Sequence, residues 1–501
     1  MKKILIAVGL FMSDNSYAQN DIPTETSYVQ KSEILNLEKF ENSLRYNYVL
    51  KDQISKKYSI YEEMKKYKIP GISIAAIHNG KIVWIKSYGY KDSQSKEKLY
   101  TRDLMQAASI SKPFAVLGGL KLASENKFDL DSDINKYLVG WKIPLNKYTK
   151  ITPVTARMLM SHIGGINVHG FPGIDRSVKP FPTIIDVLNG KKPFVTTDAV
   201  EVINTPGKSF SYSGGGTSIV QLAIESIVKE DFTSWMDKNI LKKLDMNSSS
   251  FHQPLLETND PFVSSAHNKV GVPYASKYHN YPENAAAGLW TNPTDLANSI
   301  LHLIGLYYGD SNNLNLDRDL VKQIFIAKKP SQYGLGFEII KNKKVLSFGH
   351  GGSNDGFNSI MYAFVNNSNK NKEKKLMDAL IVMTNSDNGM YINEKLIHSF
   401  NDVYNIGFKN KKILNPIKIK DNLEKYSLNF KFLDEDDLNI IKFEKNALYL
   451  EYNSLSEKLY PVGKDEFMTL QGIKIKYFWS NKKPFIKFYL TDDYELETTV
   501  L

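Results

Sequence analysis

The pattern of apolar and polar positions predicts both strands and helices up to about residue 410. Two strand-like runs, 71–78 and 81–88, are joined by Asn79-Gly80, a dipeptide typical of tight β-hairpins. Further strand-like runs occupy 345–348, 358–365 and 379–385. Helical spacing of apolar residues predicts helices at 55–68, 104–127, 152–161, 214–228, 232–244, 292–306 and 392–404. This order predicts an α+β fold in which one antiparallel sheet is built from both ends of the segment, with a helical lobe inserted between them.

The pattern changes after about residue 415. Short alternating segments rich in β-branched and aromatic residues lie at 438–443, 447–452, 467–470, 473–479 and 485–490. They predict a small all-β domain, either a barrel or a sandwich. A length of 501 residues also favours more than one domain. We therefore expect a main domain over 51–410 and a β-rich domain over 415–501, preceded by an N-terminal extension over 19–50.

The first 18 residues resemble a secretory signal peptide. Lys2 and Lys3 supply the positive start, residues 4–12 the short apolar run, and Ser16-Tyr17-Ala18 the small-residue cleavage site. That run is too short to span a bilayer, and no later apolar run reaches the required length. These features predict an exported protein, periplasmic or secreted, with no integral membrane segment.

Composition and charge argue against several further kinds of partner and site. The formal net charge of +10 is spread thinly, with no basic helix or arm, so we expect no nucleic-acid partner. A weak attraction to anionic surfaces such as a cell envelope and a compositional preference for lysine both fit that charge. The chain has no cysteine, which excludes disulfides and thiolate metal sites. Because the histidines also lack metal-ligand spacing, we expect neither a metal nor a cofactor.

The candidate chemistry centres on Ser109-Ile110-Ser111-Lys112. Spacing of i to i+3 puts Ser109 and Lys112 on one face of a helix, where a neutral lysine amine can take the serine proton and leave an oxygen nucleophile. A capping serine before a surface lysine is the alternative for an isolated match. Other motifs on the chain favour the nucleophile.

Two of these motifs carry further candidate side chains. The stretch 206–214 places Tyr212 on a glycine-bounded loop, and 348–353 places His350 at the end of a strand beside glycines that allow close backbone approach. The stretches 159–165 and 287–290 are accessory to them.

In their order and spacing, these motifs resemble the serine β-lactamase and penicillin-binding-protein superfamily from about residue 60 to 408. The closest resemblance is to the branch that holds class C β-lactamases, D-aminopeptidases, D-stereospecific peptidases and related carboxylesterases. The resemblance implies a β-lactamase-like fold. The C-terminal β-rich domain is similar to the lipocalin-like or barrel appendages of several of these hydrolases.

The resemblance implies a role for each matching residue. Ser109 corresponds to the nucleophile that becomes acylated, and Lys112 to the neighbour that moves its proton. Tyr212 corresponds to the tyrosine of the Tyr-x-Asn motif, and whether Tyr212 or Lys112 is the general base stays open. His350 takes the place of the lysine of Lys-Thr-Gly, and because histidine titrates near neutral pH we expect it to be functional. The backbone N–H groups of Ser109 and Ser353 would form the oxyanion hole.

The chain departs from the family pattern at two positions. Gly214 replaces the asparagine of Tyr-x-Asn, and His350 replaces a lysine that helps hold the carboxylate of β-lactams. Both departures argue against efficient β-lactam hydrolysis. We predict that Gly214, Gly351, Gly352 and Trp290 contribute to substrate binding, with a place in the core as the alternative for Trp290.

These residues predict an exported serine hydrolase with an acyl-enzyme on Ser109. Its substrates would be small peptides or amides containing D-amino acids, such as cell-wall fragments or peptide precursors. A carboxylesterase or a weak class C-type β-lactamase is the alternative within enzymes. A catalytically silent wall-binding or sensor protein is the alternative outside them, because fold alone does not fix function.

Overall fold

The computed structural model of the protein describes residues 22–366, 377–408, 411–419, 422–432, 438–452, 455–480, 483–491, 494–496 and 498–500. The predicted signal peptide, 1–18, lies outside the described residues. Among the described residues, no helix is both long enough and apolar enough to cross a membrane.

An antiparallel sheet, the main sheet, organises most of the chain. Its strands are β1 (Thr24–Val29), β2 (Gly71–His78), β3 (Lys81–Asp92), β4 (Glu338–Lys341), β5 (Val345–Asn354), β6 (Phe357–Asn366) and β7 (Met377–Thr384). Across the sheet they run in the order β1-β3-β2-β7-β6-β5-β4. Ala75 of β2 lies opposite Ile381 of β7, so strands from the two ends of the segment meet in the middle. The predicted antiparallel sheet is therefore confirmed.

The hairpin turn at Asn79-Gly80 is the one that the sequence predicts. Both residues have positive φ, 52° and 73°, as a two-residue turn of this type requires. Along β2 the side chains alternate between two hydrophobic cores. Ile72, Ile74 and Ala76 belong to one core, and Ala75 and Ile77 to the other. The main sheet thus separates a helical lobe from a second packed layer.

Helices cover both faces of the main sheet. They are α1 (Ile34–Glu41), α2 (Ile60–Tyr67), α3 (Ser111–Ser124), α4 (Ala156–Met160), α5 (Ile184–Leu188), α6 (Gly214–Val228), α7 (Phe232–Met236), α8 (Asn284–Ala287), α9 (Pro293–Tyr308), α10 (Arg318–Ile324) and α11 (Met390–Val403). Helices α1, α2 and α11 pack on one face, and the helical lobe, with α3 at its centre, packs on the other. Helix α3 is buried along most of its length, and it therefore carries its polar residues into the core.

The extension predicted over 19–50 contributes regular structure where it is described. Strand β1 pairs antiparallel with β3 at the edge of the main sheet, and α1 buries Leu37 and Phe40. The sequence reading missed β1 because three of its side chains are exposed and its polar residues do not alternate with apolar ones. Backbone hydrogen bonds to the neighbouring strand can hold an edge strand in place even when its sequence does not alternate apolar and polar residues.

The C-terminal residues form a second, curled antiparallel sheet, the C-terminal sheet. Its strands are β8 (Leu428–Phe432), β9 (Asn439–Glu444), β10 (Ala447–Tyr452), β11 (Leu455–Gly463), β12 (Glu466–Met468), β13 (Lys474–Ser480), β14 (Lys483–Thr491), β15 (Tyr494–Leu496) and β16 (Thr498–Val500). Their order is β15-β14-β13-β12-β11-β10-β9-β8-β16, a half-barrel. The predicted all-β, barrel-like region is confirmed, with β8, β11, β15 and β16 as strands that the sequence did not predict.

A buried polar cluster joins the C-terminal sheet to α2 and α11. Lys395 of α11 pairs with Glu63 of α2, and both side chains are almost fully buried. Lys395 also donates to the Tyr67 hydroxyl at 2.7 Å. From the C-terminal region, Gln471 donates to the same hydroxyl at 2.9 Å and to Glu457 at 3.0 Å. Burial is the main cause that lowers the pKa of Lys395 to about 8.

We expect Glu63→Gln to destabilise the protein by about 3 kcal/mol, because it leaves the Lys395 ammonium buried without its countercharge. The double variant Glu63→Gln/Lys395→Met should recover part of that loss, since it removes both charges. Urea unfolding of the wild type, both single variants and the double variant measures the coupling. Lys442→Met, which breaks an exposed ion pair with Glu451, is the matched control and should leave the unfolding midpoint unchanged. Strictly additive losses in the double variant would show that the pair is not coupled.

Candidate active site

Ser109 lies in a 3₁₀ turn, Ala108–Ile110, that leads directly into α3. The residue before it, Ala108, has a left-handed φ of 51°, so the chain bends sharply at this point. Two contacts hold the turn: Ser359 of β6 donates to the Ala107 carbonyl at 2.8 Å, and Ser111 donates to the Ala108 carbonyl at 2.5 Å. The Ser109 side chain stays half-exposed while the turn beneath it is fixed.

Lys112 approaches Ser109 from one turn further along α3. Its Nζ lies 2.9 Å from the Ser109 Oγ and 2.8 Å from the Ala286 carbonyl of α8. The side chain is buried, with 3% of its surface exposed. Two oxygen partners therefore orient an amine that has almost no contact with water. As the i to i+3 spacing predicts, the Ser109 and Lys112 side chains lie next to each other.

Tyr212 stands on the loop that precedes α6. Its ring centroid lies 5.1 Å from the Lys112 Nζ. His162 holds the loop: its carbonyl accepts the Ser211 N–H at 2.8 Å, and its Nδ1 accepts the Ser213 N–H at 3.2 Å. The His162 and Tyr212 rings lie 4.3 Å apart. His162 therefore acts through local hydrogen bonds that position this loop.

His350 lies on β5, fully buried, 6.0 Å from the Tyr212 ring and 5.6 Å from the Tyr333 ring. Burial, and then the positive charge of Lys112, lower the pKa of His350 to about 3. Its Nδ1 contacts the Gly351 carbonyl, which can only accept, so Nδ1 carries the proton. The Nε2 atom has no hydrogen-bond partner among the described residues. The expectation that His350 titrates near neutral pH is therefore wrong; the ring is neutral there and presents an acceptor.

Strand β5 lies directly on the turn that carries Ser109. A Cβ at Gly352 would stand 2.1 Å from the Ala107 carbonyl oxygen and 3.1 Å from the Ala108 Cβ, so only glycine fits. This contact brings the next residue, Ser353, beside the Ser109 turn. At Gly351, by contrast, the nearest atom to such a Cβ lies at 3.8 Å. The two backbone segments of the predicted oxyanion hole are thus neighbours.

Gly214 is buried and does not face open space. A Cβ at this position would stand 2.9 Å from the Phe171 ring and 3.1 Å from the His169 carbonyl. The segment that carries these two residues occupies the space above the first turn of α6. The prediction that Gly214 lines open substrate space is therefore corrected: the Phe171 ring packs against this position.

The prediction that Trp290 contributes to substrate binding is also corrected. It has no exposed surface and packs between Tyr278 and Phe357, with ring centroids at 4.7 and 5.9 Å, so it belongs to the core. The aromatic residue that does reach the site is Tyr333, which stacks with Phe210 at 5.9 Å. Nothing in the positions of Tyr333 and Phe210 along the sequence distinguishes them from core residues.

Glu283 is a site residue that the sequence reading missed. It is fully buried at the start of α8, where burial raises the pKa of its carboxyl to about 8 and the charge of Lys112 opposes that rise. Its loop has no motif, and only the fold brings it near Lys112. No group of three or more His, Asp or Glu residues among the described positions is arranged to hold a metal ion.

Comparisons with known proteins identify the family and the fold. The family model described as Beta-lactamase matches residues 59–395. Protein Flp of Staphylococcus aureus (strain N315) is 29% identical over 244 residues, which cover 47% of this chain and 46% of that protein. The chain thus spans about half the length of this curated relative.

Two solved structures share the fold. The octameric penicillin-binding protein homologue from Pyrococcus abyssi has a TM-score of 0.57 at 21% identity, covering 87% of this chain and 98% of that one. The β-lactamase/D-alanine carboxypeptidase from Pseudomonas syringae has a TM-score of 0.52 at 16% identity, covering 69% of this chain and 96% of that one. The family match includes Ser109, Lys112, Tyr212 and His350. This chain belongs to the β-lactamase family.

Proposed function

We propose that this protein is an exported serine hydrolase that forms an acyl-enzyme on Ser109 and cleaves peptides or amides containing D-amino acids. The single observation that carries the proposal is the 2.9 Å contact between the buried Lys112 Nζ and the Ser109 Oγ. Export rests on the pattern of residues 1–18 alone.

The reaction would begin with transfer of the Ser109 hydroxyl proton to a base while Oγ bonds to the substrate carbonyl carbon. Lys112 contacts the hydroxyl directly, and Tyr212 lies beside Lys112, so either can be the base that receives it. The negative charge on the carbonyl oxygen would be held by the N–H groups of Ser109 and Ser353, each worth about 3 kcal/mol in acyl transfer. The base would then return its proton to the leaving amine, and water would release the acyl group by the reverse steps.

His350 would bind substrate as a neutral acceptor. The family's lysine would present a cation at this position, suited to a substrate carboxylate, whereas a neutral Nε2 can accept a hydrogen bond from an N–H or O–H group. This difference favours substrates that carry no carboxylate beside the scissile bond, such as aminoacyl amides. It disfavours β-lactams, which carry one.

A carboxylesterase is the second candidate function, and the environment of Gly214 favours it. In the family, the asparagine that Gly214 replaces binds the amide of the substrate. Here the Phe171 ring packs against that position. An ester has no amide N–H to bind, so the absence of the asparagine weakens binding of an ester less than binding of an amide. For the peptidase, the β-lactamase/D-alanine carboxypeptidase from Pseudomonas syringae supports D-amino-acid chemistry by shared fold alone.

The first prediction from the proposed function concerns the nucleophile and the substrate together. We expect the wild type to release nitroaniline from a D-aminoacyl nitroanilide faster than from its L enantiomer, and Ser109→Ala to lower that rate at least about a thousandfold. Matched nitroanilides and a short-chain nitrophenyl ester, followed by absorbance, measure both. Ser248→Ala, which removes an exposed serine hydroxyl elsewhere, is the control and should keep full activity.

Turnover of the ester alone would replace the peptidase proposal with the carboxylesterase. Failure to hydrolyse any substrate, together with no labelling of Ser109 by a fluorophosphonate probe, would contradict hydrolase activity and favour the silent wall-binding or sensor protein.

The second prediction concerns pH. Because the pKa of His350 is lowered to about 3, its ring is neutral from alkaline pH down to about pH 4 and cannot cause a loss of activity near pH 6. We expect His350→Gln to lower kcat/KM at every pH without moving the acid limb of the pH profile. Rates measured between pH 4.5 and 9, a range chosen to span about two units either side of an ordinary histidine pKa, test this. An acid limb near pH 6.5 that disappears in the variant would show that His350 titrates as an ordinary histidine.

A further inference from the structure

We propose that a second site, a cleft of about 770 Å³ between the end of α9, helix α10 and strands β4 and β5, binds a long-chain fatty carboxylate. The residues that form the Ser109 site do not line this cleft. Its volume falls within the range of about 300–1,000 Å³ that is usual for small-molecule sites. The inference is independent of the hydrolase proposed above.

The floor of the cleft is apolar and rigid. Val321 of α10 and Phe325, the residue that follows this helix, face Ile339 of β4 and Leu346 of β5. All four side chains are mostly buried. Phe325 is fixed by edge-on contacts with Tyr307 at 5.0 Å and with Phe348 at 4.8 Å. A preformed apolar surface of this kind is suited to an alkyl chain, which needs no hydrogen bonds.

The rim is positively charged. Arg318 and Lys341 line the cleft, and neither forms an ion pair with a described residue, whereas Lys322 beside them pairs with Asp319 at 2.7 Å. Of the residues that line the cleft, Arg318, Lys322 and Lys341 are basic and none is acidic. An exposed excess of positive charge around an apolar floor attracts a ligand with one anionic head and one apolar tail.

These two features together select the ligand class. A neutral alkyl compound would fill the floor but leave Arg318 and Lys341 without a partner. A nucleotide or a short polar peptide would pair with the cations but leave the floor exposed to water. A single-chain fatty carboxylate satisfies both, since its head carries the charge and its tail covers the apolar residues.

The test measures binding of dodecanoate by isothermal titration calorimetry to the full chain. We expect one molecule bound per chain, and the double variant Arg318→Glu/Lys341→Glu should weaken the Kd at least about tenfold, because it turns an attractive rim repulsive. The matched control is Lys329→Glu/Lys343→Glu, which changes the same charge at exposed positions outside the cleft and should change the Kd less than about twofold. Both pairs of side chains are exposed, so unchanged melting temperatures will show that the variants fold.

Dodecyl maltoside, which has the same chain and a neutral head, should not displace dodecanoate. No binding of dodecanoate, an equal loss of affinity in both double variants, or equal displacement by the maltoside would overturn the proposal. Sedimentation of the protein with phosphatidylglycerol vesicles, without binding of free dodecanoate, would also overturn it and identify the cleft as part of a membrane-binding surface.

Discussion

The candidate site depends on one buried amine, that of Lys112, held between the Ser109 Oγ and the Ala286 carbonyl. In its charged form this amine affects several titratable neighbours. It lowers the pKa values of His162 and His350, in addition to the effect of burial, and it opposes the rise in the pKa of Glu283. The two histidines are thereby kept neutral near neutral pH, which makes them poor competitors for the proton that leaves Ser109.

The sheet topology is what makes this arrangement possible. Ser109 belongs to the helical lobe, whereas Ser353 belongs to a strand encoded far later in the chain. The contact at Gly352 brings the two together with no room for a side chain between them. Because β2 and β7 pair in the middle of the main sheet, the late strands are held in register with the early hairpin. The geometry of the site is therefore a property of the whole sheet.

Much of this could be predicted from the sequence, for identifiable reasons. The dipeptide Asn79-Gly80 predicts a hairpin turn, and the spacing of Ser109 and Lys112 predicts that both side chains lie on one face of a helix. What the sequence could not provide was packing between distant segments. Nothing near Gly214 indicates that Phe171 covers it, nothing near His350 indicates how deeply the ring is buried, and Trp290 looks like any aromatic residue beside a motif. Burial, which decides both pKa and access, depends on the fold as a whole.

The contact between position 214 and Phe171 also restricts how this protein can evolve. An asparagine introduced at position 214 alone would collide with the Phe171 ring and the His169 carbonyl. A smaller residue introduced first at position 171 would instead open a cavity above α6 and weaken the packing there. Either order passes through an impaired intermediate, so the two positions are epistatic. An asparagine side chain can therefore enter at position 214 only if residue 171 changes together with it.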